Sequence, residues 1–271
     1  MASQDSFRLD RETALITGGG TGIGLGIARC MVDAGARVVL VGRREPLLAQ
    51  ACAELGRQSS FVTHDITRTG RAGHLLATAE KTACAPISIL VNNAGTHLKK
   101  LAVDTTPEEF RGVMDTHVFA AHALVRAAIP GMIERAHGSI LFISSMAAFM
   151  GLPQIVAYSA AKSAYFGMIG ALSAELAPHG IRVNAVAPGW IASEMTQNAL
   201  DSDPARKARV FSRIQMGRMG SPQDVGWAAV YLSSPAAAYL TGVSLPSMAV
   251  RSPGFKTFSW KGLRNRQNEA P

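Results

Sequence analysis

Short apolar runs alternate along the chain with longer segments whose apolar positions recur every three or four residues. Thr13 to Thr17 (TALIT), Arg37 to Val41 (RVVLV), Ser60 to Thr63, Ile87 to Val91 (ISILV), Ser139 to Ile143 (SILFI) and Arg182 to Ala187 are short and rich in β-branched residues. They predict six strands, and Gly242 to Leu245 is a short seventh candidate. Between them Ile23 to Ala34, Pro46 to Leu55, Arg71 to Ala83, Pro107 to Ile133, Ala157 to Leu176 and Val225 to Leu232 predict helices. Gly35 and Gly56 stop the first two, and Thr106 followed by Pro107 starts the long fourth one. Strands that are apolar throughout are buried on both faces, and helices between them imply right-handed crossovers. The expected architecture is α/β: one doubly wound parallel sheet with helices on both faces. No repeat, low-complexity tract or linker interrupts the pattern before about Pro246.

Composition narrows the picture. The 271 residues, 48% hydrophobic and 17% charged, exclude a mainly disordered chain and suffice for one substantial core. No apolar run reaches the ~18–20 residues that span a bilayer, so no membrane association is expected. The opening segment MASQDSFRLDRET lacks the apolar stretch of a secretory signal. Cys30, Cys52 and Cys84 show no paired spacing, so neither a disulfide framework nor a metal site is expected, and a cytoplasmic setting is. Of the net charge of +8, a large share falls after residue 250, where Arg251, Lys256, Lys261, Arg264 and Arg266 face a single acid, Glu269. Residues 1–250 are therefore read as one folded domain and 251–271 as a basic, solvated tail. Binding of the tail to nucleic acid or to an anionic membrane surface is the less favoured reading.

The first strand runs into Thr17-Gly18-Gly19-Gly20-Thr21-Gly22-Ile23-Gly24. A strand that turns sharply into a helix needs glycine for its dihedrals, and a pyrophosphate needs side chains out of its way. The helix start beyond offers free N–H groups and the positive end of a dipole. A dinucleotide is the expected ligand. The second strand ends Val41-Gly42-Arg43-Arg44, without the acid that accepts from a ribose 2′-hydroxyl. Two guanidiniums suit a 2′-phosphate instead, so NADP(H) is favoured over NAD(H).

Tyr158 and Lys162 stand four residues apart, one helical turn on a shared face. A phenol ionises too high for acid–base work at neutral pH, and a fixed ammonium beside it is expected to lower its pKa. Ser144 and Ser145 lie just past the fifth strand, at the edge of the sheet where ligands of open α/β folds bind.

Taken in order, TGGGTGIG (Thr17 to Gly24), Asp65 after the third strand, NNAG (Asn92 to Gly95), Ser145 thirteen residues before Tyr158, YSAAK, and Pro188-Gly189 resemble the short-chain dehydrogenase/reductase family. The likeness is to its 3-oxoacyl-carrier-protein reductases and gluconate dehydrogenases and runs from about residue 10 to 245. It implies a Rossmann-type fold, a homotetramer or dimer, and a nicotinamide-dependent interconversion of a carbonyl and an alcohol. By the resemblance, Tyr158 donates the proton, Ser145 holds the substrate oxygen, and Lys162 binds the nicotinamide ribose and keeps Tyr158 acidic. Gly18, Thr21, Gly22, Ile23 and Gly24 form the phosphate turn, Asp65 and Ile66 meet the adenine, and Asn92, Ala94 and Gly95 support sheet and cofactor. Pro188, Gly189, Ile191 and Ser193 complete the nicotinamide side.

Two departures stand out. Where the family has an asparagine that holds a proton-relaying water, this chain has His117. A histidine titrates near neutral pH. The imidazole is read either as a relay through one of its nitrogens or as a group that holds the helix differently and slows turnover. After Thr241-Gly242-Val243-Ser244-Leu245, Pro246-Ser247-Met248-Ala249 replaces the family's acid and glycines. For the substrate, Met146, Phe149, Met150 and Leu152 suggest an apolar wall or packing contacts, and His97, Lys99 and Lys100 either meet an acidic group or stay solvated. The alternative to an enzyme is a catalytically weak nucleotide-binding scaffold or sensor.

Overall fold

The computed structural model describes residues 5–192 and 204–247. Its strands are β1 (Thr13–Thr17), β2 (Arg37–Gly42), β3 (Ser59–Thr63), β4 (Ile89–Asn92), β5 (Gly138–Ile143), β6 (Ile181–Pro188) and β7 (Ser244–Ser247). They form one parallel sheet in the order β3-β2-β1-β4-β5-β6-β7. The helices are α1 (Gly22–Asp33), α2 (Glu45–Leu55), α3 (Ala72–Ala83), α4 (Pro107–Met114), α5 (Ala120–Glu134), α6 (Val156–Leu176), α7 (Pro204–Phe211) and α8 (Pro222–Ser233).

Strands β1, β4 and β5 are buried along their whole length, as their unbroken apolar runs require. Alternate residues serve opposite layers. Ala14, Ile16, Val38 and Leu40 pack with α1, α2 and α8, while Leu15, Val39 and Val41 pack with α3, α5 and α6. The strand order reverses between β1 and β4, and such a switch point opens a crevice at the carboxyl ends of the strands. The glycine turn, the loop after β4 and Ser145 after β5 all emerge at that edge.

Several predicted boundaries shift, among them the helix predicted from Val225, which starts at Pro222, and three others have a clear cause. Strand β4 starts at Ile89, because the Ile87 N–H is taken by the Glu80 carboxylate of α3 at 3.1 Å. The last strand is Ser244–Ser247 and not Gly242 to Leu245. Gly242 turns with φ +77°, and pairing with β6 begins at Ala185 opposite Ser244, so that Pro246 enters the strand. The predicted helix Pro107 to Ile133 is two helices, α4 and α5, joined by a wide π turn over Asp115–Phe119. Among the described residues no helix is long and apolar enough to cross a membrane.

Candidate active site

The floor of the crevice is tied together where β1 and β4 end. The Thr17 hydroxyl donates to the Val91 carbonyl (3.2 Å) and accepts from the N–H groups of Asn93 (2.9 Å) and Ala94 (3.0 Å). The Asn93 amide donates back to the carbonyls of Thr17 (2.8 Å) and Gly18 (3.3 Å). Asn93 was not singled out from the sequence, although a polar pair following a buried strand at the switch point is the signal that marks it. Asn92 is buried, with its Nδ2 on the Leu141 carbonyl at 3.5 Å and its Oδ1 without a partner among the described residues.

The glycine turn has the shape an approaching pyrophosphate needs. Gly22 sits at φ +55° with open space where a Cβ would point. A Cβ on Gly24 would lie 2.2 Å from the Gly18 carbonyl oxygen, so that position fixes the close packing of α1 on the turn. Thr21 caps α1 in an extended conformation without a side-chain bond to the first N–H groups, which leaves them to an incoming anion. The donors, open face and dipole fit a dinucleotide phosphate. At the far end Arg43 and Arg44 are exposed at the start of α2. Asp65 is held below the usual carboxylate range, first by the Thr67 N–H at 3.0 Å and also by nearby Arg43. Ile66 packs on the core beside α3. Pro188 and Gly189 leave β6, and Ile191 bridges to Gly220, which fixes this exit. Ser193 lies outside the described residues.

Ser145, Tyr158 and Lys162 converge at the carboxyl end of β5. Ser145 follows the strand, and its oxygen accepts from the Ala147 N–H at 3.1 Å. It hydrogen-bonds the Tyr158 hydroxyl, which lowers the phenol's pKa, but burial outweighs this and holds it above its ordinary value. Lys162 is buried and donates to the Ile143 carbonyl at 2.6 Å, with its Nζ 5.7 Å from the centre of the Tyr158 ring. Burial pushes its ammonium down to about 7. The expected net lowering of the Tyr158 pKa is therefore not found here. Desolvation dominates, and the phenol is a protonated acid at neutral pH.

His117 sits in the π turn and is buried. Its Nε2 lies 2.8 Å from the Thr96 carbonyl oxygen and 3.1 Å from the Thr96 nitrogen, and its Nδ1 is buried without a partner among the described residues. Burial, reinforced by the Lys162 ammonium, pushes its pKa down to about 3. The expected titration near neutrality is therefore replaced by a neutral imidazole. Its ring stands edge-on to Tyr158 at 5.5 Å between centres, and its carbonyl accepts from the Tyr165 hydroxyl at 3.1 Å. His97 meets Tyr158 on a further side, with ring centres 4.9 Å apart. Of the residues expected to wall the substrate, Met146 is buried and Phe149 packs on Phe166 of α6 at 4.7 Å between ring centres.

A family model described as enoyl-(acyl carrier protein) reductase matches residues 18–247. The chain belongs to the short-chain dehydrogenase/reductase family. It is an oxidoreductase of the branch whose named members are dehydrogenases and reductases acting on CH–OH groups. It is 38% identical over 242 residues to galactitol 2-dehydrogenase (L-tagatose-forming) of Cereibacter sphaeroides, covering 88% of this chain and 94% of that one. It is 37% identical over 219 residues to inactive 2-(S)-hydroxypropyl-CoM dehydrogenase 2 of Xanthobacter autotrophicus, covering 80% and 95%. A solved 3-oxoacyl (acyl-carrier-protein) reductase from Agrobacterium tumefaciens with NADP bound superposes with a TM-score of 0.85 at 27% identity, covering 90% of this chain and 96% of that one.

Proposed function

We propose that this short-chain dehydrogenase/reductase uses NADP(H) to interconvert a carbonyl and a secondary alcohol, with Tyr158 as the acid and base. The observation that carries the reading is the convergence of Ser145, Tyr158 and Lys162 at the open edge of the sheet, beside a glycine turn shaped for a pyrophosphate. The bound dinucleotide supplies or accepts a hydride. The protein does the rest. Tyr158, protonated at neutral pH, gives its proton to the carbonyl oxygen as charge develops there. Ser145 donates a hydrogen bond to the same oxygen, and Lys162 stabilises the phenolate left behind. Phosphate binding belongs to the turn from Gly18 to Gly24, adenine contact to Asp65 and Ile66, and the 2′-phosphate to Arg43 and Arg44. Asn92, Ala94, Gly95, Pro188, Gly189, Ile191 and Ser193 are assigned to the nicotinamide side. His117 acts as a positioning residue: it fixes Thr96 through Nε2 and stands edge-on to Tyr158.

The same reading includes a cytoplasmic homo-oligomer. The association is what the family resemblance implies, and light scattering checks it. The relative whose name calls it inactive favours one second reading, a nucleotide-binding scaffold or sensor with little turnover.

NADPH consumption against ketones, 3-oxoacyl thioesters, sugars and quinones separates the two. Turnover with the native chain, reduced about 10²- to 10⁴-fold in Tyr158→Phe, supports the enzyme. Tight NADPH binding without turnover on any substrate supports the scaffold.

A further inference from the structure

We propose that Tyr165 is a positioning residue for the reaction: its ring keeps the Lys162 ammonium charged and in place beside Tyr158, and its hydroxyl ties that ring to the π turn that carries His117. This rests on the carbonyl-reductase reading above and assigns it one further residue.

An ammonium that is to stabilise a phenolate must carry its charge. Lys162 is buried, and burial pushes it down to about 7, the edge of losing that charge. One of its three N–H groups donates to the Ile143 carbonyl at 2.6 Å. Among the described residues no carboxylate forms an ion pair with it. The titratable groups around it bring no negative charge either. Burial keeps the Tyr158 and Tyr165 phenols of α6 protonated, and the His117 imidazole of the π turn is neutral. His97, from the loop after β4, meets the Tyr158 ring. What remains to hold the charge is aromatic. Nζ stands over two rings of its own helix, 5.7 Å from the centre of Tyr158 and 5.0 Å from the centre of Tyr165. The negative face of an aromatic ring attracts a cation, most strongly where water is excluded. Tyr165 is the nearer of the two, and it gives up no proton in the reaction.

Tyr158, Lys162 and Tyr165 follow one another at four and three residues, so they share one face of α6. The Tyr165 ring is itself fixed from two other elements. It packs on Phe142 of β5 with 4.9 Å between ring centres, and the next residue of that strand supplies the carbonyl that takes the ammonium. Its hydroxyl donates to the His117 carbonyl at 3.1 Å, between residues 48 apart in the chain. Burial drives this phenol far above its ordinary pKa, so it remains a donor at every working pH. The π turn thus delivers a carbonyl to Tyr165 and the edge of an imidazole to Tyr158. A ring held by β5 and the π turn can hold a lysine in turn.

The test reads the lysine directly. The native chain, Tyr165→Phe and Tyr165→Met are made with lysine carrying carbon-13 at Cε and titrated by NMR from pH 5 to 10, with Lys162→Met identifying the signal. Tyr165→Phe keeps the ring and is expected to titrate as the native chain does. Tyr165→Met fills the space without an aromatic face, and the Lys162 titration is expected to fall by about one pH unit. The high-pH limb of NADPH-dependent carbonyl reduction falls with it. Both variants lose the hydroxyl's hydrogen bond and unfold at lower urea, so that loss does not account for a shift confined to Tyr165→Met. Should Tyr165→Met not fold, a trifluorinated phenylalanine at position 165 takes its place, because it keeps the shape of the ring and withdraws the charge from its face. Equal titrations in all variants overturn the proposal. A shift as large in Tyr165→Phe as in Tyr165→Met also overturns it, by reducing Tyr165 to an anchor of the π turn. A Lys162 shift without turnover of any carbonyl of the wider panel overturns the carbonyl-reductase reading and leaves the hold of the ring on the ammonium supported.

Discussion

In the proposed reading, two guanidiniums at the end of β2 carry the choice between the two dinucleotides. Arg43 and Arg44 are exposed, and Arg43 helps hold Asp65 ionised. A carboxylate in their place accepts from a 2′-hydroxyl and repels a 2′-phosphate, whereas paired guanidiniums do the reverse. A hydrogen bond to a charged group contributes about 1.5–3 kcal/mol, equivalent to roughly ten- to a hundredfold in affinity. The Arg43→Ala, Arg44→Ala double variant is therefore expected to lose about that factor in kcat/KM with NADPH, with a much smaller change with NADH. Steady-state kinetics with both cofactors checks it, and a parallel loss on the two would remove the assignment. The place of these residues was legible in the sequence because a strand end is a fixed address: both follow β2 directly, at the carboxyl edge of the sheet.

At the scale of elements, the π turn between α4 and α5 and the loop after β4 form one unit. A Cβ on Gly95 would stand 2.2 Å from His117 Cε1, so the missing side chain makes room for the imidazole. Gly95→Ala is expected to cost about 1–3 kcal/mol through overpacking and to lower kcat, because the displaced ring releases Thr96. His117→Asn is smaller and relieves that clash, so it restores much of the stability that Gly95→Ala loses. A double-mutant cycle by urea unfolding and kinetics measures the coupling, and additive effects would separate the two residues. Periodicity foretold the helices on either side but not this turn, since one extra residue in a 27-residue apolar pattern leaves the spacing readable as a single helix. The Tyr158 and Lys162 pair was legible for the opposite reason: four residues on an uninterrupted helix share a face. The sense of the phenol's pKa shift was not legible, because burial comes from the β5 edge and the flanking histidines rather than from α6 itself. The Thr17–Asn93 weld joins residues 76 apart and exists only once β1 and β4 are neighbours.

Over the whole molecule, the site's buried bases set how stability depends on pH. Lys162 titrates at about 7 in the folded chain against 10.5 when free, so between those values the unfolded state binds the extra proton. Stability therefore falls as pH drops from 10.5 to 7. His117 continues the trend: at about 3 in the fold against 6.5 when free, it removes stability as pH falls from 6.5 towards 3. The carboxylates of Asp65 and Asp224, held low by backbone N–H groups, add to that acid loss. The His137–Glu12 pair at 3.0 Å acts oppositely on the histidine side, since its raised pKa gives stability that is lost as pH rises through it. Each group contributes at most ~1.4 kcal/mol per pH unit inside its own window. Urea midpoints measured from pH 4 to 9.5 should then fall on acidification. His117→Asn should be shallower only below pH 6.5, and Lys162→Met only above 7. Variants that follow the native slope in both windows would mean that the two bases charge freely in the fold. The buried site described here would then be open to water.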